Sequence, residues 1–483
     1  MSLMEHMIAH IQQRRVPTFP SFPAAHQPTY DLAHKHFYHG QFATSSATLL
    51  SIPSEFNNYP AYVILRVRTL LTQGYYHNAI RVLYENVEVI DEKEQEVVAK
   101  DEKLDAGEEM MRDTWNLWIR LLYWDEEGMP ESRLKEGAAE AQRAWKAWCQ
   151  WTQIETYTEV HSLLYELIHH LSPNTFNLPP REWIGNTDSL IAFHMDSQAF
   201  TSTLAILQVR NRVLDPKDPT FTNIMLEYFP HLAAHPEIKL VEARTRLILH
   251  DIYMSTGNIE LAAEKLSEIE DCLKADSEMH PGEEGRGVDL RWLVRFYKLS
   301  LPSKTSRMTD EDRLAKLSAL AHEAVSRDIP QFQLKALHQL AIIYLRNKNF
   351  ASFAPPETEF VVKGQKYGQP ARMWRQHLRQ MFENFPAPEH PQSEEFLETF
   401  TSIMESVDWS KDSEKSGGGV IGVGLGLVVW TGVAEMIVGI EESWKSKAKR
   451  LVEKIKAEEG TTGSKVDKDG LSRGLRKLWD DTP

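Results

Sequence analysis

What most constrains this chain is the spacing of its apolar residues. They recur almost everywhere at helical intervals, as in Leu65, Leu70, Leu71 and Ile80 to Leu83, or Leu240, Ala243, Leu247, Ile248 and Ile252, while runs of strict two-residue alternation are scarce. The pattern predicts an all-α protein without a sheet of any size. With 483 residues, 42% hydrophobic composition and 13 tryptophans the chain has the material for a folded core, either as two or three domains or as one extended array.

Within the helical pattern one spacing repeats. A glycine is followed by a bulky residue at plus two, a small one at plus five and leucine at plus nine. It occurs as Gly40, Phe42, Ser45, Leu49; as Gly74, Tyr76, Ala79, Leu83; and as Gly257, Ile259, Ala262, Leu266. The physics is that of two helices joined by a tight turn. Glycine frees the backbone in the turn, the small residue lets the second helix approach the first, and the leucine fills the groove between them. Two further segments carry the spacing in degraded form, His194 to Leu207 with Gln198 in the turn, and Leu337 to Phe353 with Lys348 there, the latter expected to fail at Pro355 and Pro356. Each hairpin leaves one face uncovered, so hairpins stack.

This spacing resembles the tetratricopeptide repeat, and residues of the preceding helices agree with it, Leu249 and Tyr253 before Gly257 and Leu32 and Ala33 before Gly40. The expected fold is an irregular α-solenoid of tetratricopeptide-like helical hairpins, without a strict period. EYFPHL at 227–232 followed by RLILHDIYMSTGN at 246–258 is similar to the tetratricopeptide-bearing subunit of the TRAPP vesicle-tethering complex. That resemblance implies a part in assembling a tether between endoplasmic reticulum and Golgi, with no catalytic residues of its own.

The expected organisation is an N-terminal arm over 1–27, a helical body over 28–410, a linker over 411–416, a glycine-rich apolar segment over 417–440, and a basic then polar tail over 441–483. Three stretches read as exposed loops: the acid-rich 87–110, the turn-rich 276–287, and 386–395. Trp115 with Trp118, and Trp145 with Trp148 and Trp151, stand at helical spacing, as a core stripe or an aromatic groove for a partner helix.

Segment 417–440 has Glu435 as its one ionisable group, and a helix of that length covers the roughly 30 Å of a bilayer's hydrocarbon. Val420, Gly422, Gly426, Trp430 and Ile440 mark it, with Gly418, Gly422 and Gly426 at the interval that permits close helix approach. The basic stretch 444–456 follows, so 417–456 reads as a membrane contact; the alternative is a glycine-rich linker running into a buried terminal helix.

A net charge of −15 argues against a general nucleic-acid binder. Cys149 and Cys272 stand far apart without metal-ligand spacing, as expected on the cytosolic side of the cell. The glycines at 422, 424 and 426 lack the preceding strand of a dinucleotide loop, and no phosphate loop, serine elbow or zinc-protease histidine pair occurs. His34, His36 and His39, His169 and His170, and Glu126 and Glu127 read as solvated or core residues. The expectation is a non-enzymatic scaffold without cofactor. It would hold a peptide or helix of another protein in a concave groove, with Tyr76 or Tyr253 as anchors where exposed. It would stand free in the cytoplasm or be anchored to the cytosolic face of an organelle.

Overall fold

The computed structural model describes residues 22–100, 238–255, 257–301, 308–369, 371–384 and 392–406, with single positions between 102 and 119 and beyond 431. Among the described residues all regular structure is helical. The chain divides into two compact units, one comprising 1–69, 82–121 and 135–305, the other 70–81, 122–134 and 306–483. The body read from the sequence as one span, 28–410, is therefore shared between two.

In chain order the helices are α1 (Gln27–Tyr38), α2 (Phe42–Leu50), α3 (Pro60–Gln73), α4 (Tyr76–Ala99), α5 (Ile238–Ser255), α6 (Ile259–Met279) and α7 (Val288–Ser300), then α8 (Asp310–Ser326), α9 (Pro330–Arg346), α10 (Phe350–Tyr367), α11 (Ala371–Glu383) and α12 (Ser393–Glu405). Local chemistry sets their starts. Thr309 caps α8 by accepting from the Asp312 amide at 3.2 Å, and Asp310, Glu311 and Asp312 place negative charge at the positive end of the helix. Pro330 opens α9, where its missing N–H leaves no bond unmade, and Asn349 caps α10.

In the first unit α1 packs on α2, α5 on α6 and α6 on α7. Leu240, Ala243, Leu266, Ile269, Leu273, Leu290 and Val294 form one apolar cluster there. In the second unit the helices pack on their sequence neighbours, α8 on α9 and α9 on α10, and also two apart, α9 on α11 and α10 on α12. A helix that touches both its successor and the helix after that is the construction of an α-solenoid. The fold is all-α, an irregular α-solenoid of tetratricopeptide-like hairpins: the second unit shows the next-but-one packing, and the described helices of the first unit show the hairpins α1–α2 and α5–α6.

Three expectations need correction. The acid-rich loop at 87–110 is helix as far as Ala99. Val87 and Ile90 continue the buried stripe of Ala79, Ile80 and Leu83, so the charges of this stretch occupy the opposite face of one long helix. The turn-rich 276–287 is not simply exposed, since α6 runs to Met279 and both Asp276 and Arg286 are buried. Pro355 and Pro356 do not end their helix, because α10 passes through both. Each removes a backbone donor, yet burial of Phe350, Phe353, Phe360 and Val361 on either side holds the helix together. Within 441–483, Val452, Ile455 and Trp479 are buried, and the Lys456 ammonium donates to the Trp479 carbonyl at 2.9 Å.

No helix among the described residues is long and apolar enough to cross a membrane. Val420, Gly422, Gly426, Trp430 and Ile440 lie outside the described residues; of segment 417–440 only Thr431, Val433 and Ala434 fall within them, Val433 and Ala434 being fully buried.

Candidate functional site

The repeated spacing has one geometric cause. At Gly40, Gly74, Gly257, Asp328, Lys348 and Gly368 the backbone turns left-handed. The amide of that residue then bonds to the carbonyl three back, and the next amide to the carbonyl five back. In the first turn these bonds are Gly40 to Phe37 at 3.0 Å and Gln41 to His36 at 2.9 Å, and in the fifth Lys348 to Leu345 at 3.0 Å and Asn349 to Tyr344 at 2.9 Å. This pair of hydrogen bonds seals a helix C-terminus. The residue after the left-handed one starts the next helix, receiving the first amide bond from position plus five: Ser45 to Gln41, Ala79 to Tyr75, Ala262 to Asn258 and Phe353 to Asn349. The interval of five from glycine to small residue is thus one residue to the helix start plus the four spanned by its first hydrogen bond.

The structure places Phe42, Ser45 and Leu49, Tyr76, Ala79 and Leu83, and Tyr253, Ala262 and Leu266 in the interior, with Ile259 half-buried. The Ser45 hydroxyl donates to the Ala33 carbonyl at 2.8 Å across the first hairpin. Tyr76 and Tyr253 are only 4% and 3% exposed, so neither is free to anchor a partner. That corrects their suggested role: both fall on the packing stripe of their helix. Trp115 is buried, while Trp118, Trp145, Trp148 and Trp151 lie outside the described residues, as do Gln198, His169, His170, Glu126 and Glu127.

The turns also do tertiary work. In the first unit the Val288 amide and the Arg244 guanidinium donate to the carbonyls of His39 and Tyr38 at the end of α1, the latter at 2.9 Å, and Arg244 also holds the Asp289 carboxylate at 2.7 Å. A β-carbon at Gly40 would sit 1.9 Å from that carboxylate. Gly257 has a nearly identical positive φ, +75° against +74°, but open space around it. The pair separates backbone strain from crowding. Gly257→Ala is expected to destabilise by about 1–2 kcal/mol, the cost of a left-handed residue with a side chain. Gly40→Ala is expected to add about 1–3 kcal/mol for overpacking. Denaturant melts of the two variants check the difference.

Below this turn lies a buried ionic cluster. Arg286 engages both oxygens of Asp276, at 2.8 and 2.9 Å, and donates at 2.9 Å to His39 Nε2 and to Glu283. Lys35 reaches Glu283 at 3.2 Å, and Arg286 and Lys35 together hold the Glu283 carboxyl below its usual range. His36 Nδ1 bonds to Gln41 at 2.7 Å. These contacts join α1 to the connection between α6 and α7, across about 250 residues of chain. Among the described residues no group of three or more histidines, cysteines and carboxylates could hold a metal ion. Burial pushes the Cys272 thiol up to about 11, which keeps it protonated and unreactive at neutral pH.

In the second unit the Gln73 amide donates at 3.0 Å to the carbonyl of Asp328, whose carboxylate accepts from the Tyr75 hydroxyl, and Gly368 lies against the His77 ring. Here the plus-nine position departs from the sequence rule. Leu337 keeps it after Asp328, but Glu357 and His377 occupy it after Lys348 and Gly368. Glu357 and His377 are buried against each other, His377 Nε2 to Glu357 Oε1 at 2.7 Å. Sequence reasoning missed both; the signal was a polar residue where the spacing calls for leucine.

No protein-family model matches the sequence, and no curated protein does. Among solved structures the chain is similar to the crystal structure of the P58(IPK) TPR domain, with 12% identity over 89% of this chain and 99% of that chain and a TM-score of 0.20. A superposition at that score adds nothing to the fold, which rests on the turns and the helix packing themselves.

Proposed function

We propose that this protein is an interaction scaffold that holds other proteins along the faces of its stacked hairpins. What supports the reading is the turn geometry shared by six connections, three of which commit glycine, small-residue and leucine positions to packing, so that the same backbone frame repeats along the chain. Such a frame presents preformed helix faces, so a peptide or helix binds without ordering the receptor first. Tyr76 and Tyr253 drop out as anchors. Leu32 and Leu50, 48% and 61% exposed on the first hairpin, are the large apolar side chains there that a partner can cover.

At a finer level, the reading is a cytosolic tethering or trafficking subunit. It rests on the likeness to the TRAPP subunit over 227–232 and 246–258; the first stretch lies outside the described residues and the second forms the end of α5 with its turn. The second reading, an adaptor anchored to an organelle through 417–456, rests on the apolar composition of 417–440. The test is affinity purification of the intact chain beside one cut before Ser416, with carbonate extraction of membranes. A scaffold retains the same partner proteins in both forms. If neither form retains any protein, the scaffold reading is overturned, and complete carbonate release of the intact chain removes the anchored version.

A further inference from the structure

Behind the Glu357–His377 contact stands a directed chain of hydrogen bonds linking α10, α11 and α9. His377 Nδ1 lies 2.7 Å from His338 Nδ1, and His338 Nε2 is bonded to the Gln380 side-chain oxygen. The directions follow from what each atom can do. An amide oxygen only accepts, so the His338 proton sits on Nε2 and its Nδ1 is an acceptor. His377 must then donate from Nδ1, while its Nε2 shares a proton with Glu357.

A second proton on His338 would set two N–H donors face to face across 2.7 Å. Ring rotation offers no escape for His377. Phe360 is stacked on it with centroids 4.0 Å apart and Trp374 meets it edge-on at 6.2 Å. Gly364 lets that indole lie against α10, where a β-carbon would come within 2.8 Å of the ring. With His377 held, relief comes from parting His338 from α11. His338 keeps part of its surface, which gives solvent protons a way in.

The geometry points to an acid-sensitive latch: we propose that protonation of His338 breaks its bond to His377 and releases α11 from α9 and α10. Burial first, and then neighbouring His377, hold the imidazole down to about 3, with the Gln380 bond working weakly against them. The sign follows. A histidine lowered on folding contributes stability that is complete above its ordinary value of about 6.5 and lost as pH falls below it, because the unfolded chain binds a proton that the folded one refuses.

Among the described side chains, the other ionisable groups on the packed helices include several that are engaged elsewhere or face water. Glu359 pairs with Lys363 and accepts from Gln333, Arg346 bonds Asn384, and Lys366, Arg379 and Glu383 are exposed. Lys335 is half-buried on α9, and α8 turns Arg313 inward while its His322 is exposed. On α12, Glu395, Glu398 and Glu405 are exposed.

The test is hydrogen exchange of the full chain at about pH 7.5 and about pH 5, corrected for intrinsic rates, reading peptides over 371–384 against peptides over 259–279. The wild type is expected to lose at least about tenfold protection over 371–384 at the lower pH, with little change over 259–279. His338→Asn keeps an accepting oxygen that does not titrate in this range, and its acid loss is expected to shrink below about twofold. Gln380→Glu, which sets a carboxylate beside His338 Nε2, is expected to favour the imidazolium and move the release toward higher pH. It reads the same device should the asparagine variant not fold. No acid loss in the wild type, equal loss in His338→Asn, or an unmoved midpoint in Gln380→Glu overturns the latch.

Discussion

Replacing Arg286 with alanine is expected to destabilise the first unit by about 3–5 kcal/mol, the cost of leaving one member of a buried ion pair alone. Asp276 is 1% exposed and its carboxylate has both oxygens on that guanidinium. Without it the charge has no water to turn to, and His39 Nε2 loses its donor as well. The damage should spread to α1, because Arg286 is where the end of that helix meets the α6–α7 connection. Hydrogen exchange should show amides of 27–38 losing protection together with those of 259–279. Arg286→Lys should recover only part, since an ammonium does not reproduce the two-pronged contact. A loss under about 1 kcal/mol would mean that the cluster is dispensable for the fold. Because the chain has two units, the midpoint must be read from the first unit's own peptides rather than from one global transition.

Phe353→Ala is the second change of this size, expected at about 3–5 kcal/mol for a fully buried phenylalanine. Phe353 holds plus five in its hairpin, where the turns at Gly40, Gly74 and Gly257 place serine or alanine, and its ring uses the larger space to reach the next helix but one. It meets Phe396 at 4.9 Å between centroids; Phe350 meets the same ring at 5.6 Å, and Phe400 continues the row at 6.0 Å. The truncation should therefore strip α12 of protection before α8 or α9 is affected. Chemical denaturation with peptide-resolved exchange over 393–405 checks both size and place.

These two sites show what was legible beforehand. The hairpins at Gly40, Gly74 and Gly257 could be found because glycine marks a left-handed turn and the interval to the small residue is a fixed number of helical steps. The turns at Asp328 and Lys348 have the same backbone with φ of 56° each, but carry side chains, so only Lys348 was noticed, through its neighbours. Charge density misled the reading of 87–110: it suggested a loop, while Val87 and Ile90, three residues apart, continue the buried face of the helix. Proline misled it at 355 and 356, where local propensity gave way to the aromatic seam.

The ionic cluster and the histidine chain were beyond sequence reasoning for another reason. Arg286 and His39 are 247 residues apart, and nothing in either segment names the other. His338, Glu357 and His377 come from three helices, and their meeting depends on where the turns put Glu357 and His377 at plus nine and His338 at plus ten. Tyr76 and Tyr253 illustrate the converse: their place in the repeat was readable, but their burial removes them from any binding surface.

The central claim is that successive hairpins pack helix upon next helix but one, and the contact that carries it most directly is Phe353 on α10 against Phe396 on α12. A double-mutant cycle on the full chain, with each residue changed to leucine alone and both together, isolates that contact. A coupling of about 0.5–1.5 kcal/mol is the expected result for such an aromatic pair. Additive single effects would contradict it, since rings that do not touch have nothing to couple.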